Sequence, residues 1–274
     1  SSGIGGATAR ELARRGFYVL AGVRRDRDAD AIRGQGIEPV LLDITNPDHI
    51  GALASRVRDD PRGRAVRALV NNAAVGVNVP IEAYPIAQWR NLFEVNLFGQ
   101  IAVTQALLPG LIDGSGRVVN VSSVGGKVAM ATYGPYAGTK FALEAVSDSL
   151  RRELAPLGVH VVVVEPGAVV TGMLDRASAT AQELASAMTP EQRQRYGGLV
   201  RAVAAQAASS AKSGQPAEAA ATVIAKAVLA RKPRTRYTVG RDAALITRLA
   251  RILPDRALDR VIAAALRPHL PATA

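Results

Sequence analysis

Short apolar runs at 17–23, 38–42, 66–70, 116–121 and 159–164 recur along the chain, separated by longer stretches rich in Ala, Leu, Glu and Arg. Short, valine-rich runs predict strands buried on both faces, and the stretches between them have helical composition. The alternation predicts repeated βαβ units and an α/β fold with a doubly wound, mostly parallel sheet. Ligands of such sheets bind beyond the carboxyl ends of the strands, where Asn71, Ser123 and Pro166 fall. Segments 177–187 and 200–211 are alanine-rich, with Pro190, Gly197, Gly198, Gly214 and Pro216 as expected breakers. They predict helices and a connection over 172–214 covering the pocket, within one domain spanning 1–274. Met173, Leu174, Leu184, Met188, Leu199 and Val203 imply an apolar lining there.

Candidate chemistry sharpens the picture at Ser123, Tyr136 and Lys140, whose spacing is Ser-x12-Tyr-x3-Lys. A helix over about 136–155 puts Tyr136 and Lys140 one turn apart on one face. A nearby ammonium favours the phenolate, whose free pKa is about 10, so the pair reads as an acid/base apparatus for proton transfer at an alcohol or ketone oxygen. An isolated Tyr-x3-Lys would read as an ordinary surface pair, but here other motifs accompany it. Strand alternation turns the competing Ser122 to the opposite side from Ser123. Tyr133 lacks the lysine four residues on, because residue 137 is alanine. The chain has no cysteine, which excludes disulfides, thiolate metal sites and cysteine nucleophiles and fits a reducing, cytoplasmic setting. His49, His160 and His269 lie far apart and are expected to be surface or packing residues, so no metal is expected.

At the start of the chain Ser2-Gly3-Ile4-Gly5 enters a helical run over 7–15, a glycine turn able to bring backbone close to a pyrophosphate at a helix N-terminus. Further on come Asn71-Asn72-Ala73-Ala74, Asn96 in Val95-Asn96-Leu97, Ser123, Tyr136-Ala137-Gly138-Thr139-Lys140 and Pro166-Gly167-x3-Thr171. In order and spacing these motifs resemble the short-chain dehydrogenase/reductase family, from residue 1 to about Thr171. Arg117-Val118-Val119-Asn120-Val121-Ser122-Ser123 and Val164-Glu165-Pro166-Gly167 are similar to the branch acting on retinols, hydroxysteroids and other lipophilic alcohols. The resemblance implies a Rossmann-type sheet. It also implies that the family's first strand and first turn glycine lie before residue 1, so that the chain is N-terminally incomplete and folds poorly by itself. Ala74 stands where the family motif has glycine, and its methyl group either crowds the cofactor or fits.

Roles follow from the resemblance, residue by residue. Ser123 would hydrogen-bond the substrate oxygen, Tyr136 would exchange its proton, and Asn96 would position a water in the relay. Lys140 would lower the tyrosine pKa and hold the nicotinamide ribose. Ser2, Gly3, Ile4, Gly5, Asn71, Ala73, Pro166 and Gly167 would form the cofactor groove, and Thr171 would steady the carboxamide. Asp43 would contact the adenine edge, or else cap the helix beginning near Asn46. Arg24 and Arg25 follow the second strand of the family pattern, where a carboxylate would favour NAD(H) and an arginine pairs with the 2′-phosphate of NADP(H). NADP(H) is therefore the expected cofactor, with NAD(H) as the alternative. The expected activity is hydride transfer between it and the carbonyl or alcohol carbon of a lipophilic substrate. A catalytically silent, cofactor-binding scaffold of the same fold is the rival reading, and the intact Ser123, Tyr136 and Lys140 argue against it. By analogy with the family a homo-oligomer is expected.

Net charge changes one further expectation. At +11 with only 4% aromatics, and with arginines scattered rather than interleaved with stacking residues, nucleic acid is not expected as a partner. Leu245, Ile246, Leu249, Ile252 and Leu253, and then Leu258, Val261, Ile262 and Leu266, recur at helical spacing with arginines between them. Segment 241–274 is thus expected to form amphipathic helices that close over the core or a partner subunit, or that lie on an anionic membrane surface.

Overall fold

In the computed structural model, residues 2–270 are described. The order is α1 (Gly3–Arg14), β1 (Val19–Val23), β2 (Ile37–Leu41), α2 (Pro47–Arg58), β3 (Leu69–Asn71), α3 (Ile86–Phe93), α4 (Gly99–Asp113), β4 (Arg117–Val121), α5 (Gly134–Leu154), β5 (His160–Pro166), α6 (Gly172–Ser186), α7 (Pro190–Lys212), α8 (Ala217–Leu229), β6 (Arg236–Val239), α9 (Arg241–Ile252) and α10 (Asp255–Leu266). All strand pairings between these elements are parallel, in a β1-β2 pair and a β3-β4-β5-β6 sheet.

Strand alternation builds two apolar layers. Val119, Val121, Val162 and Val164 point to one face, where Leu12 of α1 and Ala220, Ile224 and Val228 of α8 cover them. Val118 and Val161 point to the other, against Ile50 and Leu53 of α2, Val103, Leu107 and Leu111 of α4 and Leu154 of α5. Each buried valine or leucine contributes about 1.5–3 kcal/mol, so both faces must be covered and the sheet is doubly wound, as predicted. The β1-β2 pair shares these layers: Val19 packs against the first cluster and Leu20 and Val40 against the second.

Two expectations change. Gly197 and Gly198 do not interrupt a helix, because α7 runs 23 residues through them. A capping box of Thr189 with Gln192 and a proline at the first turn start α7, and the roughly 1 kcal/mol penalty of each glycine is small beside that helix's packing. Strand β6 was not predicted. Its four residues follow Arg231, Lys232, Pro233 and Arg234, and this charged approach hides a short edge strand that becomes legible only when paired with β5.

The apolar helical stretch Ile86–Asp113 reaches a mean hydropathy of 1.4 over 18 residues. Asn96, Gln100 and Thr104 are buried along it, which is the pattern of a helix packed on a sheet. Within segment 241–274, Arg241–Ile252 and Asp255–Leu266 form α9 and α10, while 271–274 lie outside the described residues.

Candidate active site

Because β3, β4 and β5 are parallel and in register, their carboxyl ends deliver Asn71, Ser123 and Pro166 to one edge. The glycine turn meets that edge. Gly3 has φ +55°, a left-handed conformation that strains any other residue, and a Cβ there would lie 3.2 Å from Thr171 Cγ2. At Gly5 a Cβ would lie 2.7 Å from Asn72 Nδ2. The turn, the 71–74 loop and the segment after β5 therefore converge where only glycine leaves room. Ser2 caps α1 without a side-chain bond, and no acidic residue occupies the first turn, so its free N–H groups suit an anion. Ile4 packs its side chain against the inner cluster and leaves only backbone toward the groove.

The two arginines after β1 separate. Arg25 is paired with its own loop, Nε 2.9 Å from Asp28 Oδ2. Arg24 is exposed and has no ion-pair partner among the described residues. Asp43 accepts from the backbone N–H (2.9 Å) and hydroxyl (2.7 Å) of Thr45. Those bonds, with Arg24 as a nearby charge, hold its carboxyl below the usual range. The cap of α2 is Asn46, which accepts from Asp48 and His49, so Asp43 is not the cap.

The core of the site forms around Gly125. A Cβ on this glycine would lie 3.3 Å from Tyr136 Cε1 and 3.5 Å from Ser123 Oγ, so the hydroxyl and the phenol ring flank one backbone position. Ser123 Oγ also accepts from the Gly125 N–H at 3.0 Å. Ser122 points the other way and is 3% exposed. Burial pushes the Tyr136 phenol up to about 12, opposed by hydrogen bonding to Ser123. Lys140 is 1% exposed, and burial pulls its ammonium down to about 8. Its Nζ donates to the Val121 carbonyl at 2.9 Å and sits 5.9 Å from the Tyr136 ring centroid. The expected depression of the tyrosine pKa by Lys140 is not seen in this arrangement, in which burial is the largest influence on the phenol and Ser123, rather than Lys140, opposes it.

Other predicted residues also make contacts that hold the site together. Asn71 Nδ2 donates to Thr104 Oγ1 and to Asn120 Oδ1, both at 2.9 Å, and Asn120 donates on to Ser147 Oγ at 2.8 Å. Asn96 is fully buried within a π-helical turn, Glu94–Phe98. Its side chain accepts from Val75 N (2.7 Å) and donates to Val75 O (2.8 Å) and Thr139 Oγ1 (3.1 Å), pinning the 71–75 loop to α5. A π-turn re-aims a side chain in this way, and here it sets the Asn96 amide against the Val75 backbone and Thr139. The Ala73 carbonyl accepts from Gln100 at 2.8 Å. Gly167 donates its N–H to Val239 O at 3.0 Å, and Thr171 begins α6 with its hydroxyl making no cap bond. Reading the sequence missed Asn120, although a polar residue inside an otherwise apolar buried strand is itself a signal.

Helices α6 and α7 pack on the 76–84 loop. Leu184 joins Val77, Val79 and Leu92 in an apolar cluster. Glu82 ties α7 down through Arg195 Nη2 (2.6 Å) and Tyr196 OH (2.8 Å). Met188 and Val203 are buried, whereas Leu174 is exposed.

Residues 1–182 match the short chain dehydrogenase family model, well over half of the chain. The chain belongs to the short-chain dehydrogenase family. It is 35% identical over 269 residues to retinol dehydrogenase 16 of Homo sapiens, covering 95% of this chain and 84% of that protein. It is 32% identical over 270 residues to an NADPH-dependent 3-dehydrocapnine reductase of Ornithobacterium rhinotracheale, covering 95% and 93%. Among solved structures, a short chain dehydrogenase from Burkholderia cenocepacia in complex with NADP is similar, with a TM-score of 0.72 and 25% identity over 95% of this chain and 93% of that one. This family member is accordingly an oxidoreductase of Rossmann-like fold.

Proposed function

We propose that this short-chain dehydrogenase transfers hydride between NADP(H) and the carbonyl or alcohol carbon of a lipophilic substrate, with Tyr136 as the acid/base. The observation that carries the reading is the packing of Ser123 Oγ and the Tyr136 ring around Gly125, with Lys140 one turn along α5. A residue with a protonated phenol beside a hydroxyl donor is suited to a carbonyl oxygen that gains charge as its carbon is reduced. Ser123 holds that oxygen, Tyr136 gives it a proton, and in alcohol oxidation the same proton returns. The dinucleotide, when bound, supplies or accepts the hydride. Gly3, Gly5 and the α1 N-terminus would hold its pyrophosphate, Thr171 the carboxamide, and Arg24 the 2′-phosphate. The exposed and unpaired Arg24 supports NADP(H), as does the likeness to an NADPH-dependent reductase. The 35% identity to retinol dehydrogenase 16 of Homo sapiens supports a lipophilic substrate. A screen of long-chain aldehydes, cyclic ketones and their alcohols with both dinucleotides should give turnover that favours NADPH and apolar carbonyls. Activity confined to small polar substrates would reject the substrate class.

A second property rests on α9 and α10. Ala243 and Thr247 turn inward, whereas Leu245 is 61% and Ile252 74% exposed beside the exposed Arg241, Arg248 and Arg251. Helix α10 has no buried residue and continues the pattern with Val261, Arg256 and Arg260. We read this face as a contact for anionic lipid, each arginine contributing about 1 kcal/mol at the surface. The protein should sediment with anionic vesicles at low salt and be released at high salt. Retention in the supernatant at low salt would reject the contact.

A further inference from the structure

Behind the site, on the side away from the Ser123 hydroxyl, the interior carries a cluster of charges that hydride transfer does not use. Tyr136, Lys140, Glu144 and Asp148 follow one another at intervals of four along α5, so the face bearing the acid/base pair continues into two carboxylates. Glu144 is 4% and Glu165 1% exposed. Lys127 Nζ lies 2.6 Å from Glu144 Oε2 and 3.8 Å from Glu165 Oε1. Arg236 Nε donates to Glu144 Oε2 at 3.0 Å and lies 3.3 Å from Glu165 Oε1 without making a hydrogen bond to it. Arg236 Nη2 also donates to Asp148 Oδ1 at 2.8 Å, and Asp148 pairs in turn with Arg151. Three buried oxygens here have no hydrogen-bond partner: Ser122 Oγ, Glu144 Oε1 and Glu165 Oε1.

These groups join the parts that must be aligned. Lys127 ends the short turn that starts at Ser123, Glu144 stands one turn from Lys140, Glu165 precedes Pro166, and Arg236 opens β6. The turn presses directly on α5: a Cβ at Gly126 would lie 2.6 Å from Ser122 Oγ and 3.1 Å from both Glu144 Cγ and the Lys140 carbonyl. A small shift of Lys127 is therefore passed to the Ser123 turn, because the packing leaves no slack to absorb it.

We infer that Lys127, Glu144, Glu165 and Arg236 form a buried clamp that positions the Ser123 turn against the Tyr136 face of α5, and that the protonation of Glu165 sets the clamp. The inference rests on the functional reading only for the roles of Ser123 and Tyr136. Two carboxylates facing one lysine and one arginine in a desolvated space do not both ionise freely. Glu165 faces Glu144 from α5, Lys127 from the turn, Arg236 from β6 and Arg251 from α9. Burial, then the neighbouring Glu144, raises its carboxyl to about 7 against the opposing pull of the three cations. With Glu165 neutral, Lys127 stays on Glu144, the arrangement seen here. When Glu165 ionises, Lys127 is drawn between the two carboxylates and moves the turn. Glu144 and Lys127 are thus positioning residues, and Glu165 makes their geometry sensitive to pH.

The test uses Glu165→Gln, which keeps shape and removes the titration. In the parent, kcat for reduction of a long-chain aldehyde at saturating NADPH should fall about threefold or more between about pH 6 and pH 8, and the variant should lack that step. Thermal unfolding gives a readout independent of activity. A carboxyl whose folded pKa lies above its unfolded value contributes stability below the unfolded pKa, and loses it as pH rises through the folded one. The variant's Tm should therefore exceed the parent's by about 3 °C or more at pH 8, with a smaller difference at pH 5. A difference in Tm that does not change with pH, or a kcat step that persists in the variant, overturns the inference. Should Glu165→Gln fail to fold, Lys127→Met carries the test: loss of the kcat step supports the clamp, and its retention refutes it. Inactivity of Tyr136→Phe together with an unchanged pH step in Glu165→Gln would leave the functional reading standing and remove the clamp alone.

Discussion

Turnover of Tyr136→Phe should fall by about 10²–10⁴-fold, the range contributed by a positioned general acid. The phenol is where the geometry concentrates. Its ring lies 3.3 Å from where a Cβ on Gly125 would stand, burial raises its pKa, and Ser123 stands beside it. Removing one hydroxyl leaves the ring and its packing in place, so the fold and the dinucleotide affinity should be nearly unchanged. Single-turnover reduction separates the outcomes, because loss of the chemical step with an unaltered NADPH titration is what the acid role requires. A variant within threefold of the parent would remove Tyr136 from the mechanism, and with it the main support for the proposed reaction. Lys140→Ala should damage both turnover and cofactor affinity, since its buried ammonium reaches the Val121 carbonyl at the base of the site.

Arg24→Ala should remove most of a preference for NADPH over NADH, worth about 1.5–3 kcal/mol, or tenfold or more in affinity, for a charge-assisted contact to phosphate. The prediction is specific to Arg24. Arg25 is held by Asp28 at 2.9 Å and must break that pair before it meets a ligand, so Arg25→Ala should have a smaller effect. Fluorescence titration of both dinucleotides against the parent and the two variants measures this directly. Equal affinities for NADH and NADPH in the parent would reject the cofactor assignment. Because the contact is electrostatic and exposed, the preference should also weaken as salt is raised.

Much of the molecule was legible in the chain because its signals are local or periodic. Short apolar runs predicted five of the six strands among the described residues, most plainly β4 and β5, whose near-complete burial leaves no polar alternation to read. The Ser-x12-Tyr-x3-Lys spacing placed Tyr136 and Lys140 on one helical face, and α5 spans Gly134–Leu154 accordingly. The choice of Ser123 over Ser122 followed from alternation at the end of β4, and the two side chains do diverge. By itself, then, the sequence determined the α/β class, the family and the identity of the candidate proton-transfer residues.

Tertiary structure decided what each polar residue is free to do, because that depends on partners distant in the chain. Asn71 and Asn96 carry family motifs, yet one is hydrogen-bonded to Thr104 and Asn120 and the other to Val75 and Thr139. Arg24 and Arg25 are adjacent and alike in sequence; only the fold of the 26–28 turn engages one and leaves the other open. The direction of the Tyr136 pKa shift is set first by burial, with Ser123 opposing it, while the Lys140 ammonium is directed to the Val121 carbonyl. Strand β6 exists because β5 offers it an edge, and Arg236 reaches Glu144 across 92 positions of chain only once that edge is paired. Local pattern specifies secondary structure and motif, whereas desolvation and long-range pairing, which set pKa values and hydrogen-bond commitments, arise only when the elements pack.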